Sequence, residues 1–304
     1  MYEAFYGLKE KPFSIVPDPD FIFFGVRHTL AFAMLEYGIE SRAGFIVVSG
    51  EIGCGKTTLI RHLLNHLGPE LTVGLVSNTH RDIGDLLEWI MLAFGQPYSG
   101  LSRVALYDAF QRFLIAEYGA GRRVVLIIDE AQNLTPASLE ALRMLSNINA
   151  DKHQLLQMIL AGQPQLRDLL RQPELQQFAQ RVSVDFHITP LSAAEVADYI
   201  RHRLAVAGRD EPLFTPAACE RIALASRGIP RSINILCDTA MVYGFAVEAA
   251  TIDVEFVSEL IRDKEQYGAF APSRITSREC TCGAVGRPQG RTVAAAPQAI
   301  RLFG

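Results

Sequence analysis

Short runs of consecutive apolar residues, many of them β-branched, alternate with stretches of helical spacing between residues 43 and 187. A run without polar alternation suits a strand covered on both faces, so the pattern predicts an α/β domain built on a parallel sheet. Five strands are expected, at 45–48, 71–77, 124–129, 155–161 and 184–188, separated by helices near 57–67, 82–94, 103–118, 136–149 and 165–180. After Pro190 the strand signals stop and helix starts replace them. Ser192 with Glu195 three residues on is a capping box, and Thr215-Pro216 places a cap before an N1 proline. Further helices near 230–247 and 253–267 complete a small all-helical domain at 190–267, after an α/β domain at 1–189 that includes an N-terminal wrapping segment. Residues 268–304 hold five arginines, one glutamate and no apolar periodicity, and are expected to be disordered.

The first strand ends in Gly50-Glu51-Ile52-Gly53-Cys54-Gly55-Lys56-Thr57, with Thr58 opening the helical pattern behind it. Glycines at these spacings let successive backbone N–H groups and a helix N-terminus face a β-phosphate, which makes this a nucleotide-binding segment. Lys56 is placed to reach the β- and γ-phosphates, and the Thr57 hydroxyl to take one Mg²⁺ position, because that hard cation prefers oxygen ligands. The third strand, Val124-Val125-Leu126-Ile127-Ile128, ends in Asp129-Glu130. In a parallel sheet that acidic pair emerges at the same edge as the glycine-rich loop. Asp129 would hold Mg²⁺ through water, and Glu130 would orient and polarise an attacking water.

Composition narrows the field. With 304 residues, 49% of them hydrophobic, the chain can bury a large core, and a formal charge of −4 argues against a protein that coats nucleic acid. No stretch approaches the ~18 to 20 apolar residues of a membrane helix, and the first residues lack the basic region of a signal peptide, so a cytoplasmic location is expected. Cys54, Cys219 and Cys237 are scattered without metal spacing, and Cys280-Thr281-Cys282 offers two ligands without partners. Lone His28, His62 and His187 read as helix or strand residues.

A phosphate loop and an acidic strand end on a five-stranded sheet, followed by four helices, resemble an AAA+ ATPase with a helical lid. The opening Tyr2-x-x-Phe5-Tyr6-Gly7-Leu8, then Pro17-Asp18-Pro19, Ile128-Asp129-Glu130-Ala131-Gln132-Asn133-Leu134 and Ala161-Gly162-Gln163-Pro164-Gln165-Leu166 narrow the resemblance to the ExeA, or general secretion pathway A, type. That resemblance implies ATP and Mg²⁺ as cofactors, a homo-oligomeric ring or filament, and hydrolysis coupled to assembly or remodelling of a secretion or exopolysaccharide-export system. Secretion members carry a membrane helix and a periplasmic cell-wall-binding domain after the ATPase, which residues 268–304 do not match. A more distant similarity to AAA+ transposition regulators implies an alternative, a DNA-binding factor that recruits a transposase.

The resemblance assigns further roles. Asn78, after the second strand, either hydrogen-bonds Glu130 or starts a turn with Thr79 and His80. Gln163 is the candidate sensor of the lytic water, against a loop glutamine. Arg231, at the start of a lid helix, is the candidate second sensor reaching the γ-phosphate, against a surface arginine. Arg181 is the candidate arginine finger serving a neighbouring subunit, against a salt bridge to Glu174 or Asp185. The rings of Phe5, Tyr6, Phe13, Phe21, Phe23 and Phe24 are expected to wrap the sheet and line the adenine pocket, most of them buried.

Overall fold

The computed structural model describes residues 1–77, 85–150 and 153–267. A 3-10 turn at Pro19–Phe21 leads to α1 (Val26–Glu40), β1 (Phe45–Gly50), α2 (Lys56–His66), β2 (Leu71–Val76), α3 (Leu86–Ala93), α4 (Arg103–Gly119) and β3 (Arg123–Ile128). There follow α5 (Pro136–Leu145), the short antiparallel pair β4 (Asn149–Ala150) and β5 (His153–Gln154), β6 (Leu156–Gly162), α6 (Pro164–Leu170), α7 (Gln176–Ala179) and β7 (Val182–Ile188). Four helices close the described chain: α8 (Ala193–Val206), α9 (Pro216–Ser226), α10 (Pro230–Ala246) and α11 (Val254–Tyr267).

The five long strands form one parallel sheet in the order β2-β3-β6-β1-β7. β6 therefore lies between the glycine-rich loop and the acidic pair. Its register, Ser49 opposite Gly162 and Ile128 opposite Leu160, brings the ends of β1, β3 and β6 to a common edge. Side chains alternate across the sheet, as a period of two requires. Phe45, Val47, Leu126, Ile128, Met158 and Leu160 pack towards α3, α4 and α5, while Ile46, Val48, Val125, Ile127, Ile159 and Ala161 pack towards α1 and α2.

Three features depart from the sequence-based expectation. The helix expected at 165–180 is broken into α6, a 3-10 turn at Pro173–Leu175 and α7, because a proline lacks the N–H and crowds the preceding turn. The β4–β5 pair is too short to leave a period in the sequence. The aromatic start packs with the lid and not the sheet: Tyr2, Tyr6, Phe13 and Phe21 share a core with Tyr199, Leu204, Ile222, Ile233 and Met241. Phe13 meets Phe214 edge-on at 6.0 Å, and Tyr2 hydrogen-bonds Asp238 on α10. Phe5 and Phe24 stay exposed.

Glu195 joins the lid to the sheet domain. Its Oε2 accepts from the Ser192 N–H at 2.9 Å, completing the capping box of α8. Its Oε1 accepts from the Val26 N–H, also at 2.9 Å, at the start of α1, where N-cap Gly25 supplies no side chain of its own. One carboxylate thus accepts from backbone N–H groups at two helix N-termini.

Candidate functional site

The glycine-rich loop turns through Gly53 at φ 81° and Gly55 at φ 90°, a region that side-chain-bearing residues avoid, and α2 begins immediately at Lys56. Gly53 is needed for space as well, since a Cβ there would stand 2.5 Å from the Arg231 Cβ. The Arg231 N–H donates to the Gly53 carbonyl at 3.2 Å, so α10 of the lid rests directly on the loop. From the other side His28 on α1 sets its Nε2 2.8 Å from the Cys54 carbonyl oxygen. Lys56 is buried and curls over the loop, donating to the carbonyls of Gly50 at 2.8 Å and Glu51 at 3.0 Å. Burial pushes the Lys56 ammonium below its ordinary pKa, and the charge of Glu130 acts against that shift. Burial likewise pushes the His28 pKa down and the Cys54 thiol up.

Beside the loop, the Thr57 hydroxyl donates to Oδ2 of Asp129 at 2.7 Å. These two hard oxygen donors fit Mg²⁺. Among the described residues no cluster of three or more His, Cys, Asp or Glu could hold a metal alone, so the remaining ligands would come from phosphate and water. Glu130 takes a left-handed conformation at φ 54° where β3 passes into a 3-10 turn at Ala131–Asn133. Its Oε2 accepts from Gln132 Nε2 at 2.6 Å and from Gln163 Nε2 at 3.2 Å. The strand order thus brings Gln163 to Glu130.

A cavity opens above the loop between the sheet edge and the lid, lined by Gly53, Lys56, Thr57, Thr58, Glu130 and Arg231. Its far wall is formed by the 14–18 segment with Phe21, Tyr199, Arg203 and Asn234. The Arg203 guanidinium lies 4.6 Å from the centre of the Phe21 ring and is hydrogen-bonded to the Pro12 carbonyl and the Tyr199 hydroxyl. Of these wall residues Tyr199, Arg203 and Asn234 were not singled out in the sequence, where they look like ordinary helix positions; Pro17 and Asp18 carried a signal from the opening motif, and Phe21 from its place in the aromatic start.

Arg181 lies outside this cavity. Its guanidinium donates to the Ser146 hydroxyl at 2.8 Å; Asp185 instead faces Arg167 at 3.7 Å, and neither Asp185 nor Glu174 pairs with Arg181. Asn78 and the Cys280/Cys282 pair lie outside the described residues.

Among known families, the AAA domain matches residues 39–170. General secretion pathway protein A of Aeromonas hydrophila is 44% identical over 249 residues, which cover 81% of this chain and 45% of that protein. The chain is similar to the ExeA-type AAA+ ATPases. It spans a little under half the length of that relative. The fold is similar to that of the Aeropyrum pernix ORC2 protein solved as ADPNP-ADP complexes, with a TM-score of 0.60 at 18% identity over 79% of this chain and 68% of that one. Drosophila ORC bound to DNA gives 0.61 at 15% identity, covering 85% of this chain and 64% of that one. The Thermotoga maritima RuvB Holliday junction branch migration motor gives 0.52 at 19%, covering 82% and 73%. At these identities the likeness concerns the fold alone.

Proposed function

We propose that this chain hydrolyses ATP with Mg²⁺, as an oligomer, to drive assembly or remodelling of a secretion or polysaccharide-export system at the cytoplasmic side of the inner membrane. The observation that carries this reading is the convergence of Lys56, the Thr57–Asp129 pair, Glu130 and the lid's Arg231 around one cavity. The loop N–H groups and Lys56 would bind the phosphates, Lys56 exchanging its two carbonyl partners for phosphate oxygens. Thr57 and Asp129 would hold Mg²⁺, which when bound neutralises charge on the β- and γ-phosphates. Glu130 would take the proton of the attacking water, with Gln163 positioning that water, and Arg231 would report the γ-phosphate to the lid. In this reading Asn78 restrains Glu130 and Arg181 completes a neighbour's site. The secretion role follows the printed name of the Aeromonas relative.

Phosphate release by the purified chain, with Mg²⁺ and with a chelator, tests the reading. Release that requires Mg²⁺ and disappears in Lys56→Ala is expected. Equal release from both proteins overturns it. The transposition alternative rests only on the arginine-rich 268–304 segment and the distant similarity to transposition regulators, and a gel shift that needs ATP and weakens steeply with salt would favour it.

A further inference from the structure

Gln132 stands two residues after Glu130, inside the 3-10 turn that Glu130 itself begins at φ 54°. The turn folds the chain back, so the side chain reaches the carboxylate it follows. Nε2 of Gln132 donates to Glu130 Oε2 at 2.6 Å, and its Oε1 accepts from the Gln163 backbone N–H at 2.9 Å. The second bond decides how the amide is turned. A backbone N–H can only donate, so Oε1 must face Gln163 and the NH₂ must face the carboxylate. The fit against the end of β6 is close: a Cβ on Gly162 would lie 2.9 Å from Gln132 Oε1 and 3.2 Å from the Gln132 backbone nitrogen. Gln163 Nε2 reaches the same Glu130 oxygen at 3.2 Å, closing a ring of Glu130, Gln132 and Gln163. Bonds to an ionised carboxylate are roughly twice as strong as neutral ones, so the ring restricts where that carboxylate can point.

We infer that Gln132 is a positioning residue which sets the Glu130 carboxylate relative to the turn carrying Gln163, so that base and sensor move as one unit. The inference rests on Glu130 acting as the base. The competing account makes Gln132 a brace for the β6–α6 turn through the Gln163 N–H alone, with the carboxylate contact incidental.

Two substitutions separate these accounts. Gln132→Met keeps the length and makes neither bond. Gln132→Glu keeps an oxygen for the Gln163 N–H but sets a second carboxylate against Glu130. A general base supplies about 10² to 10⁴ in rate, and loss of its placement should remove at least about tenfold of that. The expected result is a kcat reduced in Gln132→Met and reduced further in Gln132→Glu, with the Kd for a fluorescent ATP analogue within about twofold of the parent. Gln132→Glu more active than Gln132→Met would make Gln132 a brace and overturn the inference. So would parent-like kcat in Gln132→Met, or a loss of ATP affinity parallel to the loss of kcat.

Should Gln132→Glu fail to fold, as thermal melting would reveal, the Glu130→Gln background decides. There Gln132→Met should add no further loss, because no base remains to be placed; a further loss of about tenfold overturns the inference. If Glu130→Gln alone turns over at the parental rate, the assignment of the base fails instead, a result distinct from either outcome at Gln132.

Discussion

Thr57 donates its hydroxyl to Oδ2 of Asp129 at 2.7 Å, tying the first turn of α2 to the end of β3 across 72 residues of sequence. The hydroxyl and the carboxylate are both hard oxygen donors, and they occupy a position suited to a cation bound together with phosphates. Thr57→Val keeps the volume and removes the oxygen. It should raise the Mg²⁺ concentration for half-maximal phosphate release by roughly tenfold or more, while nucleotide binding measured in chelator stays the same. An unchanged Mg²⁺ titration would assign the pair to structure alone.

Lys56 and Glu130 should fail differently, because one faces bound phosphates and the other the attacking water. Lys56→Ala should lose affinity for ATP. Glu130→Gln should retain ATP and lower turnover to a small residual rate, as equilibrium binding beside single-turnover hydrolysis would register. Turnover near the parental rate in Glu130→Gln would remove it as the base.

Arg181 sits away from the cavity, hydrogen-bonded to the Ser146 hydroxyl and close to Glu140, whose carboxyl pKa is lowered first by the Arg143 hydrogen bond and also by the Arg181 charge; in the proposed oligomer it would serve another subunit's site. Arginines inserted from a neighbour are worth ~10³ to 10⁵ in rate in other nucleotidases. Specific activity should therefore rise with protein concentration, and Arg181→Ala should bind ATP yet hydrolyse it very slowly. Mixing Arg181→Ala with Glu130→Gln should restore part of the activity, because one protein brings an intact Glu130 and the other an intact Arg181. A mixture that co-assembles by light scattering and stays inactive would leave Arg181 with a structural role alone.

Acid should loosen the structure at two identified carboxylates. Glu117 at the end of α4 is held down to about 2, first by hydrogen bonds from Arg122 and then by one from the Thr72 hydroxyl, with burial opposing. Glu195 is also lowered: burial raises it, but the donors Ser192 and Val26 outweigh that. A carboxyl whose folded pKa lies below its unfolded one stabilises the fold above the unfolded value, near 4.5, and loses that contribution as pH falls through the folded one. Melting temperature should therefore drop as pH falls below about 4.5, and Glu117→Gln should flatten part of that slope. A parallel pH profile for Glu117→Gln would show that the Arg122 contact contributes nothing.

What could be read from the sequence was whatever contiguous residues specify. The loop at 50–57 is legible because each demand on it is local: positive φ at Gly53 and Gly55, and a helix starting at Lys56. Val124 to Ile128 announce a strand buried on both faces because all five are apolar, and Ser192 with Glu195 announces a helix start because a capping box spans three residues. The strand order is of another kind. An unbroken apolar run looks the same at any interior place in a sheet, so nothing in residues 156–162 says that they lie between β1 and β3. Yet that placement alone brings Gln163 to Glu130 and lets Gln132 span them. The aromatic start likewise signalled burial without naming its partner, and shape complementarity with α8, α9 and α10 assigned it to the lid. Glu195 carried the signal of one cap, while its second, on Val26, arises only because folding brings α1 and α8 end to end, where an unfilled N-terminus at Gly25 accepts the nearest carboxylate.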